Sequence, residues 1–232
     1  MKKLVVFTGS GISAESGLKT FRDMGGLWEE YNVTDVASPE GWERDMDLVL
    51  KFYNERRRQL AKSQPNPGHI ALVDLEKYFD VHIITQNVDD LHERAGSKHV
   101  LHLHGELKKA QSTFFSKLIY EIEGTELNRG DLCEMGYQMR PYIVWFGEAV
   151  PKLDEAISIC QTADIFLVVG TSLNVYPAAS LIDYIPSNCP VFLVDPNKII
   201  TPVYRKYTFI QEKAGTGVPL VKETLIREYG GE

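Results

Sequence analysis

VHIITQNVDDLHERAGSKHVLHLHGEL, residues 81–107, is the stretch on which the fold turns. It opens with a mostly apolar run, Val81, Ile83 and Ile84, that reads as a buried strand. It turns abruptly polar at Thr85, Gln86 and Asn87. A short helix-like run from Asp89 to Ala95 is stopped by Gly96, and a second short strand, Val100 to Leu103, ends at His104 and Gly105. If these strands are parallel neighbours, their carboxyl ends deliver Gln86, Asn87, Asp89 and His104 to one place, where open α/β sheets bind ligands. His104 lies at the strand end and is the best-placed acid–base group. His102 lies within the strand and reads as structural, and His92 as a cap or a charge partner.

Toward the N-terminus, LVVF at residues 4–7 is a short buried strand, followed at once by TGSGISA at residues 8–14. The spacing is that of a dinucleotide turn, G-x-G-x-x-A. Gly9 permits a tight turn, Gly11 a phosphate near the backbone and Ala14 close packing of a following helix, with Ser13 as its possible cap. The usual continuation is missing: Gly17 comes quickly, and residues 18–28 form a glycine-punctuated loop. In that loop Arg22 is either a phosphate ligand or a surface ion-pair partner, and Phe21 either a shield for a reactive centre or a core anchor. Residues 31–41 read as turn and linker, 42–62 as helix, 63–68 as a break and 69–78 as helix, with His69 a structural hydrogen-bond partner.

Downstream, residues 108–140 interrupt the alternation of strand and helix and read as a small excursion. Strand-like sequence returns at 141–148, 165–169 and 191–194, with helices over 152–162, 177–185 and 218–229. Gly170, Thr171 and Ser172 end one strand, and Asp195 ends another. The predicted class is α/β: a Rossmann-like, mostly parallel sheet with helices on both faces and a small inserted subdomain. A Rossmann-like lobe is expected from about 1–30, 69–107 and 141–232, and a small lobe from about 31–68 and 108–140.

The 232 residues carry a net charge of −7. That balance argues against non-specific nucleic-acid binding, and neither a nucleic-acid nor a membrane partner is expected. Three widely spaced cysteines, Cys133, Cys160 and Cys189, argue against a disulfide framework and suit a reducing cytoplasm. The apolar run after Lys2 and Lys3 is too short for a signal peptide. There is no serine elbow and no P-loop lysine, which argues against a serine hydrolase and an ATPase.

The motifs together resemble the sirtuin signature: TGSGISAESG at 8–17 with Thr20, Phe21 and Arg22; TQNVDDLH at 85–92; the His104–Gly105 pair; Gly170-Thr171-Ser172; and Pro177-Ala178-Ala179. The likeness runs from residue 4 to about 225 in the family's order. It implies NAD-dependent removal of acyl groups from protein lysines, with nicotinamide and an O-acyl-ADP-ribose as products. ADP-ribosyl transfer, NAD hydrolysis and a non-catalytic NAD-binding module are the alternatives. The resemblance places Gly9, Ser10, Gly11, Ala14 and Glu15 in the first NAD loop, and Phe21 and Arg22 in a cofactor loop. It places Gln86, Asn87 and Asp89 at the nicotinamide end, with His104 and Asn87 as catalytic residues. Gly170, Thr171, Ser172, Asp195 and Ala214 fall at the adenosine end. The stretch from Val144 through Trp145, Phe146 and Gly147 resembles the edge that pairs with an acyl-lysine peptide.

Ser10 and Lys19 depart from the family pattern in small ways. The larger departure is metal: relatives bring four cysteines to the small domain, and here only Cys133 falls in it, so no zinc is expected. Phe114, Phe115, Ile119 and Tyr120 are the expected substitute core. Tyr53 and Arg56, three apart in a helix, resemble the Tyr-x-x-Arg element of the desuccinylase and demalonylase branch. A phenol and a guanidinium suit a carboxylate, so succinyl and malonyl groups are expected alongside acetyl.

Overall fold

The computed structural model describes residues 1–18, 31–173, 175–198 and 206–231. Six strands form one parallel sheet: β1 (Lys3–Thr8), β2 (Asp80–Thr85), β3 (Val100–His102), β7 (Ile165–Val169), β8 (Val191–Val194) and β9 (Tyr207–Ile210), in the order β3-β2-β1-β7-β8-β9. Successive residues of β1 point to opposite faces. Val5 and Phe7 join one buried cluster with Ile84, Phe166 and Val168, and Leu4 and Val6 join another with Ile83, Leu167 and Val194. Helices cover both faces, so the strands read as unbroken apolar runs. The predicted class is the one observed, and β2 and β3 are parallel neighbours, Thr85 opposite His102.

The chain builds outward from β1 in one direction and from β7 in the other, so the strand order reverses between them. That is where open sheets leave a crevice. A second, antiparallel sheet has the order β5-β4-β6 from β4 (Gly105–Ser112), β5 (Ile119–Glu121) and β6 (Met139–Ile143). The run at 141–148, read above as a return to the main sheet, therefore begins in the small sheet. Pro141 sits opposite Ala110.

Local chemistry sets the helix ends. Residues 31–41 are not a linker: α1 (Val33–Val36) starts at Asn32, whose side chain accepts from the Thr34 amide, and α2 (Pro39–Arg44) starts at Ser38, which caps Gly41. The helix expected from residue 42 is α3 (Met46–Lys62), capped by Asp45. The next helix, α4 (Pro67–Leu75), begins earlier than expected, because Asn66 and His69 form a capping box and Pro67 takes the first turn. Further on lie α5 (Leu91–Ala95), α6 (Leu153–Cys160) and α7 (Ala214–Tyr229), while 178–183 is a 3-10 helix. Strand β9 has no counterpart in the sequence reading; as a half-exposed edge strand it lacks the apolar run that marks the others. No described helix is long and apolar enough to cross a membrane.

The small lobe differs from expectation. Phe114 is 66% exposed, and Phe115 and Ile119 are also exposed, so these residues are no core. Phe114 stacks on Tyr137 at the surface. Leu50, Ala110, Ile122 and Leu127 supply the buried cluster instead, with Trp42, Met46 and Met139 against it. Among the described residues no group of three or more His, Cys, Asp and Glu is placed to hold a metal ion.

Candidate active site

The cleft at the reversal point is a cavity of about 770 Å³. Its wall runs from Gly9, Ser10 and Gly11 past Gln86, Asn87, Asp89 and His104 to Tyr53 and Arg56, and along Gly170, Thr171, Ser172 and Asp195. Phe21 and Arg22 lie outside the described residues.

The glycine turn lines the cavity and also packs against a second strand-end loop. Among the described residues no α-helix follows the turn directly: Ser10–Ile12 and Ala14–Ser16 are single 3-10 turns, closed by Gly17 at φ 83°. A Cβ on Gly11 would fall 2.6 Å from the Gly170 Cα, and one on Gly9 2.7 Å from the Thr171 Cβ. The Gly11 amide donates to the Gly170 carbonyl at 2.9 Å and the Gly9 amide to Val169 at 3.0 Å. The glycines let two strand-end loops interlock; those two amides are spent inside the chain. Glu15 accepts from the Gly215 amide at 2.7 Å and ties the turn to the start of α7. Ala14 lines the cavity. Ala214 is buried, with its carbonyl against Gly68, and Lys213 reaches the cavity wall in its place.

Asn87 is held at three points. Its amide donates to the Thr85 hydroxyl at 3.0 Å, its carbonyl meets His102 Nδ1 at 2.9 Å, and its side-chain nitrogen donates to Ser13 Oγ at 3.1 Å. Ser13 in turn donates to Asp89 Oδ2 at 3.0 Å. Ser13 is therefore no helix cap; it bridges Asn87 and Asp89, whose carboxyl burial pushes up despite hydrogen bonds from Leu91 and Ser13. Its partners lie more than seventy residues away, so no local signal marks it. Behind Thr85, Thr8 donates at 2.8 Å and itself meets His92 Nε2 at 3.1 Å.

His102 and His104 sit two residues apart, and their surroundings move their pKa values in opposite directions. Both nitrogens of His102 face acceptors, the Asn87 carbonyl and Glu93 Oε1 at 2.7 Å. Burial lowers its pKa, but the Glu93 carboxylate outweighs burial and the net direction is up. His102, held by acceptors at both nitrogens, is structural, as its place within the strand suggested. His104 Nδ1 meets only the Gln86 carbonyl, at 3.2 Å. A carbonyl can only accept, so Nδ1 carries the proton and Nε2 keeps a lone pair. Burial, the dominant influence, lowers the pKa of His104 below the usual imidazole value. At neutral pH it is a base.

The three successive arginines of α3 separate cleanly. Arg57 is buried and donates to the Thr125 carbonyl at 2.9 Å and the Leu107 carbonyl at 3.2 Å, which ties the helix to residues 107 and 125. Arg58 pairs with Glu126 at the surface. Arg56 lines the cavity beside Tyr53, its guanidinium 5.6 Å from the Phe52 ring centre. Tyr53 is buried, and its hydroxyl accepts from Trp145 Nε1 at 3.0 Å.

Val144, Trp145, Phe146 and Gly147 all line the cavity, but they are not an open strand edge. The Val144 amide donates to His104, that of Phe146 to Ala37, and that of Trp145 to Glu148. A peptide pairing along this segment has to use its carbonyls or Gly147.

Residues 9–177 match the family model described as the Sir2 family. The chain is 52% identical over 231 residues to an NAD-dependent protein deacylase of Bacteroides thetaiotaomicron, covering 97% of this chain and 99% of that one. It is 55% identical over 196 residues to one of Helicobacter pylori, covering 84% and 85%. A solved Sir2 homologue in complex with NAD superposes with a TM-score of 0.88 at 37% identity, covering 97% of this chain and 90% of that one. A Sir2 protein solved with a deacetylated peptide and 3′-O-acetyl-ADP-ribose gives 0.77 at 28%, covering 99% and 94%.

Proposed function

The chain belongs to the Sir2 family and is an NAD-dependent protein deacylase; from that premise we propose that it acts on acylated lysine side chains and takes succinyl and malonyl as well as acetyl groups. The observation that carries this reading is one cavity whose lining holds both the His104 base and the Tyr53–Arg56 pair.

The wall suits NAD. Asp195, buried at the end of β8, is a carboxylate matched to two ribose hydroxyls and hostile to a 2′-phosphate. Gln86, fixed to the Thr171 hydroxyl at 3.0 Å, and Asn87 supply neutral polar groups beside it. When bound, NAD supplies an electrophilic ribose carbon whose leaving group is nicotinamide, and the substrate's acyl oxygen is the nucleophile. His104 Nε2 then takes the proton of a ribose hydroxyl, a role for which its tautomer is already set. Asn87, held at its amide, carbonyl and side-chain nitrogen, orients the ribose or the attacking water through its remaining oxygen. Arg56 forks onto the distal carboxylate of an acid acyl group, which acetyl lacks. Acetyl-lysine is smaller and enters the same space. The three free cysteines suit a reducing compartment, and we place the activity in the cytoplasm.

The test is to incubate the protein with NAD and one peptide bearing acetyl, malonyl or succinyl, and to weigh the products. The expected result is loss of the acyl mass only when NAD is present, with nicotinamide and O-acyl-ADP-ribose formed. Consumption of NAD with the peptide unchanged points instead to ADP-ribosyl transfer or NAD hydrolysis. Binding of NAD without consumption points to a non-catalytic module.

A further inference from the structure

We infer that Trp145 is a positioning residue for acyl-group selection: its indole N–H occupies the Tyr53 hydroxyl as an acceptor and so turns that hydroxyl into an obligatory donor beside Arg56. The inference rests on the acid-acyl reading above and assigns the residue that sets its polarity.

An indole nitrogen only donates. At 3.0 Å from the Tyr53 oxygen, it fixes the direction of that hydrogen bond. The phenol must send its own proton elsewhere, and Trp145 is its hydrogen-bond partner among the described residues. Burial holds the Tyr53 pKa up at about 12, so the proton stays on across the working range. This part of the cavity wall therefore presents a phenol O–H and a guanidinium, donors only, which is the complement of a carboxylate.

Trp145 is in turn clamped. The Arg140 guanidinium lies 3.7 Å from its ring centre, and Trp42 packs at 5.8 Å between ring centres. Glu148 accepts from the Trp145 amide at 2.7 Å while binding Arg140 through both oxygens at 2.8 and 2.9 Å. The side chain is 2% exposed. The indole cannot swing away, so its donor stays aimed at Tyr53. Without that donor the phenol oxygen regains a free lone pair. It can then accept from the Arg56 guanidinium three residues away and draw the fork off the substrate. A residue that looks like part of a peptide-binding edge thus acts through the acyl pocket.

The test compares efficiency on one peptide carrying acetyl, malonyl or succinyl for wild type, Trp145→Phe, Tyr53→Phe, the double variant and Arg56→Met. Phenylalanine keeps most of the ring and removes the N–H. The succinyl-to-acetyl and malonyl-to-acetyl efficiency ratios should fall about threefold to tenfold in Trp145→Phe, the worth of one hydrogen bond. The Tyr53→Phe ratios should fall similarly. In the Tyr53→Phe background, Trp145→Phe should change the ratios no further, because its effect runs through the missing hydroxyl. Unchanged ratios in Trp145→Phe, or a full further drop in the double variant, overturn the inference. If Trp145→Phe does not fold, the Tyr53→Phe ratios still decide: no change there also overturns it. Equal loss on all three acyl groups in Arg56→Met overturns the acid-acyl reading itself, a separate result.

Discussion

At the reversal point of the large sheet, position is set by backbone against backbone: Gly9 and Gly11 lie where a Cβ would meet Thr171 and Gly170. In the small lobe, position is set by side chains. Gln138 accepts from the Gly130 amide at 2.8 Å, and its nitrogen lies 2.9 to 3.2 Å from the carbonyls of Asn128, Asp131 and Met139. Arg57 joins α3 to the backbone at Leu107 and Thr125. The backbone-locked side carries the groups proposed to meet NAD, and the side-chain-locked side packs against α3, whose Tyr53 and Arg56 are proposed to meet the acyl group. The difference also indicates how a lobe of this kind can hold together through polar clasps, since among the described residues no metal cluster is placed to do so.

The contrast can be broken most sharply at its centre. His104→Ala should lower turnover roughly 10²- to 10⁴-fold, the usual cost of a lost acid–base group, while NAD binding measured by calorimetry stays within a few-fold. With His104 present, the acidic limb of kcat/KM should lie below pH 6.5, because burial lowers its pKa and the neutral form is the working one. A limb above that value would contradict the assignment.

Gly11→Ala attacks the backbone lock. The added methyl has to displace the Gly170 backbone, so a loss of about 1–3 kcal/mol in unfolding free energy is expected, with weaker NAD binding. Gln138→Ala attacks the side-chain clasp and strands several backbone groups. We expect a loss of about 1–2 kcal/mol in denaturant unfolding and little change in NAD affinity. Loss of NAD affinity equal to that of Gly11→Ala would erase the division between the two sides.

How much was legible follows the same division. Short apolar runs such as LVVF and IFLVV, each ended by glycine or a polar residue, announce buried parallel strands, and the ends of β2 and β3 announce His104 and Asn87. The interlock of Gly11 with Gly170 was visible as glycine but not as a partner, because a sequence shows the need for a missing Cβ and not what fills the space. Ser13 was misread as a cap because Asn87 and Asp89 are distant in the chain. Phe114 and Phe115 were misread as core because hydrophobicity alone does not say which aromatics find a cover. Helical spacing shows that Tyr53 and Arg56 share a face, and the family resemblance gave them a role, yet the Trp145 nitrogen that donates to the phenol lies 92 residues on.

The most direct measurement compares kcat/KM of wild type and Arg56→Met on a single peptide carrying acetyl, malonyl or succinyl. If Arg56 reads a distal carboxylate, the variant should lose succinyl and malonyl activity by roughly 10- to 100-fold, the worth of a charged hydrogen bond at about 1.5–3 kcal/mol, and acetyl activity far less. An equal loss on all three groups would assign Arg56 to the stability of α3 and leave plain deacetylation as the better description.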